Sequence, residues 1–144
     1  MIGTLLRQRY KIIKKLGQGG FGETYFAEDR DIPVTPKPIC VVKRLQPAAI
    51  SPDIIRLFEK EAQTLYKLGE NNPQIPKLYA YFQENQNFYL IQEFIDGQDL
   101  EEELKTKGTF SETEVIEIFR EMLEVLKFVH ENGSIHRDIK PSNI

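Results

Sequence analysis

The residues best suited to chemistry occupy positions 136–144, which read His-Arg-Asp-Ile-Lys-Pro-Ser-Asn-Ile. This segment places the carboxylate of Asp138 five residues before the amide of Asn143, with the ammonium of Lys140 between them. Transfer of a phosphoryl group needs a carboxylate that orients and deprotonates a hydroxyl, a cation beside the moving phosphate, and oxygen ligands for Mg²⁺. The segment contains a residue of each kind, so its composition and spacing indicate phosphoryl transfer.

A glycine-dense run at 17–22 reads Gly-Gln-Gly-Gly-Phe-Gly and fits the pattern G-x-G-x-x-G. The same spacing serves dinucleotide-binding folds, in which the glycines end a strand and open a helix. Here the residues that follow, 24–27, read Thr-Tyr-Phe-Ala, which are types suited to a strand. We therefore predict a hairpin between two strands that covers nucleotide phosphates. A flexible turn without a ligand is the alternative.

A lysine and a glutamate that interrupt apolar faces form a further candidate pair. Alternation along a predicted strand places Lys43 on one face with Ile39, Val41 and Leu45. Glu61 interrupts the apolar stripe of the next helix, which consists of Ile54, Phe58, Leu65 and Leu68. Because a buried charge needs a partner, we expect an ion pair between Lys43 and Glu61 that presents the ammonium to phosphate oxygens. The alternatives are a lysine that reaches solvent and a glutamate at the edge of its stripe.

Hydrophobic periodicity and turn residues predict the elements that position these groups. Five strands are predicted, at 10–16, 24–27, 39–45, 77–83 and 88–93. Three helices are predicted, at 51–69, 100–107 and 111–132. Ser51 before Pro52 caps the first helix, and Ser111 with Glu114 forms a capping box at the third. The third helix is so apolar that we expect it to be covered on most sides.

The composition limits the class of protein. The chain has 144 residues and a formal net charge of -3, with no basic stripe, which argues against nucleic acid as a partner. No apolar run approaches the roughly 18–20 residues that cross a bilayer, and we expect no membrane contact within the chain and no signal peptide at its start. The single cysteine, Cys40, is expected to be a buried, inert thiol in a reducing, cytoplasmic setting.

Taken together, these motifs resemble the eukaryotic-type (Hanks-type) serine/threonine protein kinases, over nearly the whole chain and in the family's order. The matches are the glycine run, Val41-Val42-Lys43, the helix segment around Glu61, the hinge-like segment 89–97 and the catalytic loop at 136–143. The resemblance implies an α+β fold in which a five-stranded antiparallel sheet with one large helix forms an N-lobe. It places this ATP-binding N-lobe at 1–95, and the hinge end with the first helices of a helical C-lobe at 96–144.

The resemblance also implies ATP and Mg²⁺ as ligands and assigns roles to single residues. Lys43 would bind the α- and β-phosphates and pair with Glu61. Asp138 would be the catalytic base, Lys140 would contact the γ-phosphate, and Asn143 would bind Mg²⁺. The position of Lys140, two residues after Asp138, is typical of serine/threonine rather than tyrosine kinases.

Further ATP-binding residues follow from the resemblance alone. They are Gly17, Gln18, Gly19, Gly20, Phe21, Gly22, Thr24, Val41, Gln92, Glu93, Ile95 and Asp99. Backbone groups of Glu93 and Ile95 would bind adenine, Gln92 would lie at the back of the adenine pocket, and Asp99 would lie near the ribose. His136 and Arg137 look structural or regulatory. Thr24 stands where the family usually has valine and Val41 where it often has alanine, and both would still bracket a flat ring.

The 144 residues contain no Asp-Phe-Gly, activation segment or Ala-Pro-Glu after the catalytic loop. We therefore expect the isolated chain to bind ATP but to transfer no phosphate to a serine or threonine of a protein substrate, because the metal-binding acid and the substrate platform are missing. We also expect apolar surface on helix 112–131, which would suit a partner. The alternative is a non-catalytic, truncated, pseudokinase-like module that binds nucleotide or a partner.

Overall fold

The computed structural model describes residues 1–19, 22–134 and 144. This part of the chain forms two compact units, Met1–Phe94 and Ile95–Ile144. The first contains the sheet and one long helix, and the second contains two helices. The α+β class predicted from the sequence is confirmed.

The first unit is built on an antiparallel sheet with the strand order β1-β2-β3-β4-β6-β5. The strands are β1 (Leu5–Leu6), β2 (Tyr10–Gly19), β3 (Gly22–Asp29), β4 (Ile39–Leu45), β5 (Leu78–Glu84) and β6 (Asn87–Glu93). The five predicted strands are present, but the count of five was wrong, because the described sheet has a sixth strand, β1. Two residues are too short for a periodic signal. A tight turn with positive φ at Arg7 (48°) and Gln8 (56°) reverses the chain between β1 and β2.

The two edge strands of this sheet approach each other around Phe82. The backbone N–H of Arg7 donates to the Glu84 carboxylate at 3.2 Å, and the Arg7 guanidinium lies 4.2 Å from the centre of the Phe82 ring. Tyr10 stacks on the same ring, with centroids 6.4 Å apart. Because β1 and β5 are at opposite ends of the strand order, these contacts show that the sheet curls strongly.

Each face of the curled sheet has its own apolar core. The core on the first face consists of Leu6, Tyr10, Ile12, Tyr25, Ala27, Cys40, Val42, Phe82, Tyr89 and Ile91. The core on the second face consists of Leu45, Phe58, Ala62 and Leu90, so it joins the sheet to the helix α1 (Pro52–Gly69). The first face is therefore closed by the sheet's own side chains, and the second is covered by a helix.

Local capping explains where α1 begins, and close packing explains what it meets at its end. The Ser51 hydroxyl accepts a hydrogen bond from the N–H of Ile54, and Pro52 occupies the first helical position, as predicted. A short 3₁₀ helix, Pro47–Ala49, precedes it. The last helical residue, Gly69, lies directly against the backbone of Pro76, where a side chain would not fit. The loop that leads to β5 can approach the helix only because this residue is glycine.

The second unit contains α2 (Leu100–Lys107) and α3 (Glu112–Glu131). The Ser111 hydroxyl accepts from the N–H of Glu114 at 3.2 Å, and the Glu114 carboxylate binds the Lys107 ammonium, so one residue both completes the cap of α3 and ties it to α2. Large apolar side chains of α3 remain exposed, up to 59% for Phe119 and 63% for Leu123. Among the described helices, none is long and apolar enough to cross a membrane.

A bidentate ion pair joins the outer ends of β2 and β3. The Arg9 guanidinium donates to both carboxylate oxygens of Asp29, each at 2.8 Å. This contact holds the pKa of the Asp29 carboxyl below its ordinary value, and the side chain of Asp29 is only 13% exposed. The pair therefore stabilises the start of the β2–β3 hairpin when the Asp29 carboxylate is ionised.

We expect Gly69→Ala to destabilise the first unit. An added Cβ would lie 2.5 Å from the Pro76 carbonyl oxygen, which belongs to the backbone and cannot rotate away. Overpacking of this kind costs about 1–3 kcal/mol of unfolding free energy, measurable by urea denaturation. Gly97→Ala is the control, because a Cβ at Gly97 would meet nothing within 4 Å. Equal effects of the two substitutions would contradict the packing argument.

We also expect the Arg9–Asp29 pair to make stability depend on pH in a defined direction. Because the folded-state pKa of Asp29 is lowered, its contribution is fully present above its unfolded pKa of about 3.9 and is lost as the pH falls through the lowered value. The difference in unfolding free energy between wild type and Asp29→Asn should therefore be largest at neutral pH and shrink in acid.

Asp31→Asn is the matched control for this experiment. Asp31 is 62% exposed and its carboxylate lies 3.8 Å from Arg9 Nε, so its substitution should have a smaller effect. If the difference in unfolding free energy between wild type and Asp29→Asn stays constant between about pH 7 and about pH 2, the pair does not titrate as proposed.

Candidate functional site

An ion pair between β4 and α1 lies at the centre of the candidate site. The Nζ of Lys43 is 2.6 Å from Oε1 of Glu61, so the structure forms the pair that the sequence predicts. The side chains are 29% and 46% exposed, so neither charge is buried, contrary to the premise from which the pair was predicted. The pair lies at the rim of the helix–sheet contact, where the ammonium can meet a ligand in solvent.

Strand register places four of the predicted ATP-binding side chains on one face of the sheet. Thr24 pairs with Lys43 across β3 and β4, and Lys43 and Val41 are on alternate positions of β4. Val41 pairs in turn with Gln92 of β6. Directly paired residues share a face, so these four side chains lie together, on the face that α1 also covers. All four are half-buried.

The opposite face of the same strands is closed. Cys40 and Val42 of β4 point into the first core together with Tyr25 and Ala27 of β3. Burial raises the pKa of the Cys40 thiol to about 12, which agrees with the inert thiol expected from the sequence. A ligand can therefore approach these strands only from the face of Lys43.

The glycine run forms the tip of a hairpin. β2 extends to Gly19, β3 begins at Gly22, and the two residues pair with each other. This strand-to-strand geometry is the predicted one and differs from the strand-to-helix turn of dinucleotide-binding folds. The two tip residues between them, Gly20 and Phe21, lie outside the described part of the chain.

Close contacts connect the hairpin to Lys43. A Cβ at Gly22 would lie 3.3 Å from Cε of Lys43 and 3.2 Å from the carbonyl oxygen of Arg44, so the glycine lets β3 approach the lysine side chain. Between the two arms, the hydroxyl of Thr24 on β3 donates to the carbonyl oxygen of Gly17 on β2 at 3.3 Å. The Gln18 side chain accepts from the Lys15 ammonium at 3.0 Å.

The segment predicted to be the hinge begins in β6. The N–H of Glu93 donates to the carbonyl oxygen of Lys77 at 2.8 Å, and the Glu93 carboxylate accepts from the N–H of Lys77. Because the N–H of Glu93 already donates this hydrogen bond, a backbone contact of Glu93 with a purine would use its carbonyl oxygen. This narrows the prediction, which named the backbone of Glu93 without a specific atom.

An aromatic contact beside the hinge was missed by the sequence reasoning. The ring of Phe94 meets Phe26 of β3 edge to face, with centroids 4.8 Å apart, and the Lys14 ammonium lies 4.8 Å from the Phe26 centroid. Phe26 pairs with Val41 and therefore lies on the ligand-facing side of the sheet. The available signal was that Phe26 falls two residues after Thr24, on the same face of a predicted strand.

Two predicted ATP-binding residues, Ile95 and Asp99, belong to the second unit and are described within it. Ile95 is exposed. The Asp99 carboxylate accepts from the N–H of Glu102 at 2.8 Å and caps α2. Asp99 therefore has a structural role as the N-cap of α2. The ribose contact implied by the resemblance would be a second role.

The predicted catalytic loop lies outside the described residues. This applies to Asp138, Lys140 and Asn143, and also to His136 and Arg137. Within 1–19, 22–134 and 144, no group of three or more His, Cys, Asp or Glu side chains is arranged to hold a metal ion. The described part of the site thus contains the ion pair of Lys43 with Glu61 and the sheet face beside it.

Comparison with known proteins assigns the chain to a family. The family model described as "Protein kinase domain" matches residues 10–144. The chain is 51% identical over 144 residues to serine/threonine-protein kinase C of Synechocystis sp., an alignment that covers 97% of this chain and 26% of that protein.

Two further relatives extend the comparison. The chain is 49% identical to serine/threonine-protein kinase PknA of Nostoc sp., with 97% of this chain and 25% of the relative covered. It is 29% identical to serine/threonine-protein kinase PrkC of Bacillus subtilis, with 100% and 22% covered. The chain spans about a quarter of the length of these curated relatives. The chain belongs to the protein kinase family, in its Hanks-type serine/threonine branch.

Proposed function

We propose that these residues form the ATP-binding part of a protein kinase that transfers the γ-phosphate of ATP to serine and threonine hydroxyls of proteins. The observation that carries the proposal is the 2.6 Å ion pair between Lys43 and Glu61, beside the paired glycines of the hairpin. The substrate class rests on the names of the three relatives compared above, each a serine/threonine-protein kinase.

Lys43 is the group that would meet the phosphates. An ammonium has three N–H donors, and Glu61 accepts from one direction, so donors remain for phosphate oxygens. Glu61 restricts where the flexible lysine side chain points, and Gly22 leaves room for it. The pair thus orients a cation before a ligand arrives, which reduces the ordering that binding requires.

The sheet face next to Lys43 would receive the purine. The half-buried side chains of Thr24 and Val41 offer a surface from two neighbouring strands, and Gln92 lies on the same face. The carbonyl oxygen of Glu93 is the hydrogen-bond acceptor that would recognise an exocyclic amine. Mg²⁺ bound with ATP would neutralise phosphate charge, and Asn143 is the residue of this chain that would contact it.

For the reaction itself we propose the roles implied by the family. Asp138 would accept the proton of the acceptor hydroxyl, and Lys140 would neutralise charge on the transferred phosphate. In this scheme Lys43 and the hairpin hold the nucleotide while Asp138 orients the hydroxyl, so binding and proton transfer are carried by different parts of the chain.

A second candidate function is a non-catalytic module that binds nucleotide or a protein partner. The exposed apolar side chains of α3, including Phe119 and Leu123, favour it, because exposed apolar surface often marks an interaction site. Presence of the whole H-R-D-x-x-x-x-N segment favours the kinase instead, since a module that only binds has no chemical need for Asp138.

The first test is nucleotide binding by the 144-residue chain. We expect calorimetry to detect MgATP binding that Lys43→Met weakens about tenfold or more, because the substitution removes the phosphate-facing charge and keeps the length of the side chain. Lys11→Met on β2 is the control, since Lys11 pairs with Glu28 and Leu5, away from the site. Equal affinities of wild type and Lys43→Met would refute the proposed site.

The second test is phosphotransfer by the same polypeptide. Residues 1–144 include no Asp-Phe-Gly, whose acid holds Mg²⁺ in this family, so we expect no transfer from labelled ATP to a generic serine/threonine substrate above background. The background is set by Asp138→Asn. Turnover by the wild-type polypeptide that Asp138→Asn abolishes would show that these residues suffice for catalysis.

A further inference from the structure

A charged cluster lies behind the candidate ATP site, on the opposite face of the sheet. We call it the anchoring cluster; its members are Lys15, Glu23, Tyr25, Arg44 and Asn87. The Tyr25 hydroxyl donates to Oε2 of Glu23 at 2.8 Å. The Lys15 ammonium lies 3.6 Å from Oε1 of Glu23, and Nη1 of Arg44 lies 3.6 Å from Oε2. Nη2 of Arg44 also donates to the Asn87 side-chain oxygen at 2.9 Å.

Strand register places this cluster directly behind the ligand-facing residues. Glu23 pairs with Arg44, and the next pair along the same two strands is Thr24 with Lys43. Successive side chains of a strand point to opposite faces, so Thr24 and Lys43 each have a chain neighbour in the cluster. A movement of Glu23 or Arg44 is thus transmitted to Gly22 and Lys43 through single peptide units.

Glu23 is the centre of the anchoring cluster. Its carboxylate receives a hydroxyl and two cations, while its side chain and that of Arg44 are only 17% and 19% exposed. The Tyr25 hydrogen bond, with Lys15 and Arg44, lowers the pKa of Glu23, so the carboxylate stays charged at neutral pH. Charge pairs with this little exposure are screened less than those on the surface.

The backbone pairing of the hairpin is irregular on both sides of Lys15. The register between β2 and β3 shifts between Ile12 and Lys14 and again between Lys15 and Gly17. Lys15 pairs with Tyr25 between two irregularities of the ladder, so its side-chain contacts add to a short stretch of regular backbone pairing. Its ammonium reaches Glu23 on the other arm of the hairpin and Gln18 on its own arm.

Arg44 extends the brace to the rest of the sheet. Its guanidinium, on β4, contacts the side chain of Asn87, the first residue of the neighbouring strand β6. The turn before Asn87 is a tight one with positive φ at Asn85 (49°) and Gln86 (65°). The chain of contacts from Lys15 through Glu23 and Arg44 thus ties the glycine hairpin to the turn between β5 and β6.

We propose that Glu23 is a positioning residue that holds the glycine hairpin from the face opposite the ATP site and thereby sets the affinity for the triphosphate of the nucleotide. The proposal rests on the proposed function, because it concerns the same ligand. Glu23 itself does not touch the nucleotide. It acts through the placement of Gly22 and Lys43.

The test compares ATP with adenosine as ligands of the 144-residue chain. Glu23→Gln keeps the shape of the side chain and removes its charge. We expect it to weaken ATP binding about threefold to tenfold and to leave adenosine binding within about twofold, since the phosphates would meet the hairpin tip and Lys43, whereas the purine would also be held by Val41 and Glu93 outside the hairpin. Glu28→Gln is the matched control, because Glu28 is on the same strand and pairs with Lys11 and Ile39 instead.

A second measurement needs no nucleotide. Amide hydrogen exchange reports local opening, so the amides of 16–19 and 22–25 should exchange faster in Glu23→Gln than in wild type, while those of 89–92 should not change. Arg44→Gln should give the same pattern, and the double variant should add little to either single change, because both substitutions break one cluster.

These outcomes separate the two proposals. A wild-type chain that binds no ATP contradicts the proposed function, and hydrogen exchange then decides alone whether Glu23 holds the hairpin. If wild type binds ATP but Glu23→Gln weakens ATP and adenosine equally, Glu23 acts through general stability and the positioning role is wrong. Unchanged exchange in the hairpin of Glu23→Gln would also overturn it.

Discussion

The register between β3 and β4 is the constraint on which both faces of the candidate site depend. It pairs Thr24 with Lys43 on one face and Glu23 with Arg44 on the other. A slip of one residue would exchange the faces of one strand and turn Lys43 toward the closed core that contains Val42. The apolar content of that core therefore specifies the register, and the register in turn aims the lysine.

Apolar packing, rather than the ion pair, holds α1 against the sheet. An ion pair as exposed as Lys43–Glu61 contributes about 1 kcal/mol or less to stability. Burial of a single side chain such as Phe58 contributes about 1.5–3 kcal/mol. The contact between Phe58, Ala62 and the sheet thus determines where Glu61 stands, and the ion pair follows from it. The ion pair contributes mainly to the position of the lysine, because it directs a flexible ammonium toward the hairpin.

Much of this arrangement could be predicted, because it depends on local patterns. Alternation of apolar and polar residues predicted β4 and the face of Lys43. Helical spacing placed Glu61 on the apolar stripe of α1. The strand-like residues after the glycines predicted the hairpin. The sixth strand, Leu5–Leu6, escaped because two residues carry no period, and its pairing depends on a turn and on contacts with Phe82. The burial expected for Lys43 was overstated, since alternation indicates a face and not how deeply that face is covered.

By itself, the sequence determined the family and indicated the proposed chemistry, because the residues that carry them recur at short, defined spacings that can be read without coordinates. Only the tertiary structure decided what lies behind the site. Lys15, Glu23, Arg44 and Asn87 are separated by loops and strands, and no local period relates them. Antiparallel pairing of neighbouring strands brings these side chains within reach of each other, and such contacts depend on strand register, which spacing along the chain does not encode.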